Sequence, residues 1–110
     1  MINESEFQNK VSETIEELEE LILPISDEHG FDVESAGGML TLTFEEPTSG
    51  KFMISPNAPA RQIWVSALAT SYKFDWDESA DSFVLDKTRE PIRNVIGKLL
   101  SQQLGVAVQL

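Results

Sequence analysis

Glu13, Glu16, Glu17 and Glu20 fall together on a 100° helical wheel, and Glu19, Asp27, Glu28, Asp32 and Glu34 lie close by in the chain. Carboxylate oxygens are hard ligands, suited to ferrous and ferric iron, manganese or calcium rather than to soft metals. No loop matches an EF-hand, and no His/Cys cluster offers a tight site. The expected chemistry is therefore weak, multi-site and mostly electrostatic cation binding. A solvated helix face that keeps the protein in solution is the plainer reading of the same residues. Two features favour function. Almost no bases lie nearby, and Asp32 and Glu34 project from one face of the strand that follows the helix.

A second candidate is Trp64, flanked by Ile63 and Val65 in a strand-like run. Alternation points it to the solvent face, where a Trp serves as an interface anchor. Half-covered by cross-strand neighbours, it would be packing instead. Gln62 shares its face. Tyr72, Phe74 and Trp76 read as core or aromatic packing, and the single histidine, His29, as a residue of a turn beside Asp27 and Glu28.

Enzymatic chemistry finds little support. One His and no Cys leave no Ser-His-Asp or Cys-His arrangement to build. There is no phosphate-cradling glycine loop and no nucleophile elbow. Carboxylates on an exposed helix lack the pocket that displaces one pKa from its partner. Iron oxidation would need buried, paired carboxylates across helices, and the second helix supplies none on a facing stripe.

Charge is unevenly spread. Residues 1–34 hold eleven carboxylates and one base, Lys10, a net of −10, whereas residues 35–110 hold eight carboxylates and seven bases, a net of −1. The total of −11 argues against nucleic acid and against an anionic membrane surface, and points to basic proteins or cations as partners. The absence of cysteine excludes disulfides and thiolate metal sites. No apolar run approaches the roughly 18–20 residues of a membrane span. The opening MINESEF is neither a signal nor a transit peptide, so a cytoplasmic protein is expected, a processed mitochondrial form being the alternative. At 110 residues and 41% hydrophobic, the chain reads as a single domain over 1–110.

These residues need elements to hold them. Phe7, Val11, Ile15, Leu18 and Ile22 make one apolar stripe, which predicts a helix over residues 4–23 ended by Pro24. Asn3 and Glu6 form its capping pair, and Lys10 is the i+4 partner of Glu6. Each like-charge pair at i,i+3 or i,i+4 costs about 0.2–0.5 kcal/mol. Such a helix places Glu16 to Glu20 near its C-terminus, where the macrodipole disfavours anions. Alternation then predicts strands over residues 31–35, 39–44, 51–55, 62–66, 72–76 and 82–85, with a turn at Gly37-Gly38 and a loop over Pro56-Asn-Ala-Pro59. A second helix follows, with Thr88 as N-cap, Glu90 and Pro91 in its first turn, and Gly105 as its stop. Residues 106–110, being apolar, should pack on the body. Helix, about six antiparallel strands, helix: the economical arrangement is an α+β two-layer sandwich with both helices on one sheet face.

This order resembles the frataxin family, its bacterial members in particular. The resemblance rests on Ser5-Glu6-Phe7 and the acidic first helix, Asp32-Val-Glu, Gly37-Gly38-x-Leu40-Thr41-x-Thr43-Phe44, Gln62-Ile63-Trp64-Val65, Phe74-Asp75-Trp76 and Gln102-Gln103-x-Gly105. Ala60-Arg61-Gln62 stands where many members carry Asn-Lys-Gln, and Phe83 where the family has a late-strand Trp. The resemblance implies weak, exchangeable iron binding on carboxylates of the first helix and first strand edge. It implies docking to a cysteine desulfurase and an iron–sulfur scaffold, with Glu16, Glu20, Asp32, Gln62 and Trp64 as contacts. A regulator or iron donor in cluster assembly follows, a bacterial cytoplasmic monomer with iron-induced oligomers possible. The alternative from another class is a small acidic chaperone or adaptor that holds a basic partner without metal. It would be an obligate dimer with an exposed apolar face.

Overall fold

A computed structural model describes residues 2–110. Helix α1 spans Glu4–His29. Asn3 caps it reciprocally with Glu6: its Oδ1 accepts from the Glu6 N–H at 2.9 Å, and its Nδ2 donates to Glu6 Oε1 at 2.6 Å. That engages the Glu6 carboxylate, so Lys10 turns away to Glu13 at 3.8 Å and to the face of Trp76, 5.0 Å from the ring centroid. Pairing of Lys10 with Glu6 is thus not what forms.

Pro24 does not end the helix; it lies inside it. Proline deletes one backbone donor and costs about 3 kcal/mol in a helix interior. Here the apolar stripe outweighs it. Ile22 and Ser26 are buried on either side of Pro24, and Ile25 packs partly against the core. Ser26 Oγ donates to the Leu23 carbonyl at 2.8 Å. The helix stops at Gly30, whose left-handed φ of 74° sends its N–H back to the Ser26 carbonyl. Two expectations change as a result. Glu16 to Glu20 sit mid-helix, beyond the reach of the C-terminal dipole. Asp27, Glu28 and His29 form the last helical turn rather than a loop.

Six strands follow as a meander in sequence order: β1 Asp32–Ala36, β2 Met39–Phe44, β3 Gly50–Asn57, β4 Gln62–Ala67, β5 Thr70–Asp77 and β6 Ser82–Leu85. All neighbours are antiparallel. Pro56 and Asn57 belong to β3 instead of the loop, which narrows to residues 58–61. Gly37 and Gly38, with φ of 60° and 78°, make the β1–β2 turn.

Helix α2 spans Ile92–Leu104. Thr88 is not its N-cap: its Oγ1 accepts from the Glu90 N–H at 3.3 Å in the preceding turn. Pro91 holds the cap position with no side-chain cap. The chain turns over residues 86–88, and Pro91 is held extended ahead of the helix because Leu85 N–H donates to the Glu90 carbonyl at 2.8 Å and Val84 bridges Pro91. Gly105 closes the helix with φ 72°. Beyond it, Val108 N–H donates to Ser101 Oγ at 2.8 Å and Arg93 Nε to the Leu110 carbonyl at 2.8 Å. Val108 and Leu110 pack on the core, while Val106 stays exposed.

Both helices bury their stripes on one sheet face. Leu40, Leu42, Phe44, Phe52, Ile54, Ile63, Val65, Phe74 and Phe83 meet Phe7, Leu18, Ile22, Ile96 and Leu100 in one core. Phe7 and Phe83 meet edge to face at 6.0 Å, tying α1 to β6. Among the described residues no element covers the opposite sheet face.

Candidate functional site

Because Phe7, Val11, Ile15, Leu18 and Ile22 must face the sheet, the far side of α1 can only face water. Glu13, Glu16, Glu17 and Glu20 are exposed there, with Glu19 half-buried at the edge of the stripe. Asp27 and Glu28 extend the ridge along the last turn, and His29 is half-buried beside them. On β1, Val33 turns to the core, which sends Asp32 and Glu34 to the outer face, opposite Thr43 and Thr41 of β2. β1 is the sheet's first strand, so ridge and outer face adjoin at its edge.

The carboxylates spread rather than converge. Among the described residues no three His, Cys, Asp or Glu side chains come close enough to hold a metal ion. The ridge is therefore a field of negative charge and not a cage. Two bases touch it: Lys10 at Glu13, and Arg93 of α2, whose Nη1 reaches Glu17 Oε1 at 3.5 Å. Both are long contacts between exposed groups and neutralise little. Glu16 and Glu20 have no ion-pair partner among the described residues.

Trp64 stands at the centre of the outer face, 39% exposed, with Met53 at 38% nearby. Its cross-strand neighbours are Ser55 of β3 and Lys73 of β5. The Lys73 ammonium lies over the indole, 5.0 Å from its centroid. Trp64 Nε1 donates to Gln62 Oε1 at 2.9 Å, and Gln62 Nε2 donates to Asp75 Oδ1 at 2.9 Å. Thr41, Thr43, Lys51, Ser66 and Ser71 complete a largely polar surface around the indole. Tyr72, Phe74 and Trp76 alternate to the inner side, Phe74 fully buried and the other two packed partly on the core.

Sequence reasoning missed Lys73 and Asp75. The pairing of Trp64 with Lys73 and of Gln62 with Asp75 follows from the two-residue β4–β5 turn at Leu68-Ala69, which carries no turn signature in the sequence.

The chain is similar to known proteins. The sequence profile of the Frataxin-like domain matches residues 1–106. The iron-sulfur cluster assembly protein CyaY of Pseudomonas fluorescens (strain Pf0-1) is 31% identical over 104 residues, covering 94% of this chain and 91% of that protein. The protein of the same name from Pseudomonas aeruginosa is 30% identical over 108 residues, covering 98% and 96%. A solved structure of the frataxin from Psychromonas ingrahamii covers 98% of this chain and 97% of its own, with a TM-score of 0.80. At 24% identity that likeness establishes the fold.

Proposed function

The chain belongs to the Frataxin-like domain family, and from that premise we propose that it serves iron–sulfur cluster assembly as an iron-binding regulator or iron donor. The observation that carries this reading is the little-compensated ridge: nearly all of the net charge lies in residues 1–34, and Glu16 and Glu20 have no ion-pair partner among the described residues.

Such a field performs two tasks. It attracts hard cations to Glu13, Glu16, Glu17, Glu19, Glu20, Asp27, Glu28, Asp32 and Glu34, with iron as exchangeable cargo. It also steers a basic protein surface by long-range attraction before short-range contacts form. The proposed partners are a cysteine desulfurase and its scaffold, first met by Glu16, Glu20 and Asp32, then anchored by Trp64 and Gln62 on the adjoining sheet face. A bacterial cytoplasmic monomer fits this role. No helix among the described residues is long and apolar enough to cross a membrane. An acidic adaptor would share the charge, but it needs a free apolar helix face, and α1 and α2 both bury theirs.

Anaerobic titration with ferrous iron tests the metal half of the proposal. Several weak sites, weakened further by added salt, are expected. One saturable site of nanomolar affinity contradicts a field of dispersed carboxylates.

A further inference from the structure

The indole of Trp64 is held by a hydrogen-bond chain whose direction is fixed by chemistry. An indole N–H only donates, and a carboxylate only accepts. Between them stands Gln62, whose amide carries one end of each kind. Its carbonyl oxygen must face Trp64 and its NH2 must face Asp75, and both bonds measure 2.9 Å. The β-sheet supplies the spacing: Gln62 and Asp75 are direct cross-strand partners, and Trp64 lies two residues along the same face. With Lys73 over one ring face, the indole is set in orientation before any partner arrives.

We propose that Asp75 is a positioning residue for docking on the outer sheet face: it orients the Gln62 amide, which in turn holds the Trp64 indole in its binding pose. The inference rests on the reading of Trp64 as a docking anchor. It also specifies the partner's chemistry. Because the indole N–H is already engaged, the partner receives Trp64 through its exposed ring edge and free face, in an apolar cleft that supplies no hydrogen-bond acceptor. An indole fixed in advance loses less rotamer freedom on binding, which is where the gain in affinity arises.

The test uses Asp75→Ala, Asp75→Asn and Trp64→Ala in the full chain. Two readouts are taken: the indole N–H signal of Trp64 by NMR, and affinity for a bacterial cysteine desulfurase. The chain has only two Trp residues, so assignment is direct. Asp75→Ala should speed solvent exchange of the Trp64 indole N–H and weaken binding roughly three- to tenfold, the scale of one hydrogen bond's net contribution. Asp75→Asn keeps an oxygen acceptor for Gln62 and should restore both readouts, which a general loss of packing would not allow. Binding lost in Trp64→Ala but unchanged in Asp75→Ala overturns the positioning role. Wild-type binding by Trp64→Ala overturns the docking reading itself, and the indole signal then judges the hydrogen-bond chain alone.

Discussion

At the scale of single residues, exposed groups are held by specific partners. Trp64 is exposed yet ordered, because its N–H is satisfied by Gln62 and its ring by Lys73. Asp77 shows the same economy at the end of β5. Its carboxyl is held below the ordinary 3.8, first by the Arg89 guanidinium at 2.8 Å and then by the N–H groups of Ala80 and Ser79. A depressed folded value contributes stability that is present above the unfolded pKa and lost as pH falls through the folded one. The window is therefore acidic, below about 3.8. In Arg89→Ala the Asp77 carboxyl should titrate closer to its ordinary value, read by carboxyl carbon NMR. Acid unfolding should then begin at higher pH than in the wild type. An unchanged Asp77 titration would mean that the guanidinium contact does not persist in solution.

At the scale of elements, the sheet was legible in the sequence, and so were the start of α1 at Asn3 and the stop of α2 at Gly105; the end of α1 and the start of α2 were not. Strict alternation from Met39 to Phe44 could bury only one face, and the register follows it. Pro24 misled because a local rule was overruled from a distance: the burial of Ile22 and Ser26 against the core holds the helix through the missing donor. Thr88 misled because it lies in the turn after β6, and the bridge between Val84 and Pro91 delays the helix to Ile92. The β4–β5 turn gave no signal at all. Leu68 and Ala69 adopt φ of 52° and 61° without a glycine or asparagine between them. Missing that turn hid the pairing of Trp64 with Lys73, and with it the contact that covers one face of the indole. The left-handed region costs a non-glycine residue roughly 1–2 kcal/mol. Ala69→Gly should therefore raise the stability by about 1 kcal/mol in urea unfolding, partly offset by the freer unfolded chain. A lower midpoint would show that the alanine methyl is needed where it stands.

Across the whole molecule, the decisive property is the separation of charge. A net of −10 in residues 1–34 against −1 in the remainder makes one long side of a 40 × 28 × 22 Å body negative. That asymmetry was plain in the sequence; that Asp27 and Glu28 stand on the same helix as Glu13 to Glu20 was not, because it depends on α1 continuing through Pro24. The ridge is also a burden on the fold. Glu16 has like-charged neighbours at Glu13, Glu19 and Glu20, each such pair costing about 0.2–0.5 kcal/mol. Retaining it makes sense where it meets something positive. The most direct measurement is calorimetric binding to a cysteine desulfurase, wild type beside Glu16→Lys/Glu20→Lys, at low and high salt. Wild-type binding should weaken with salt and be lost in the variant, while the variant melts at the same or a higher temperature. Equal binding by the two proteins at both salts, or none by the wild type, would contradict this reading of the ridge.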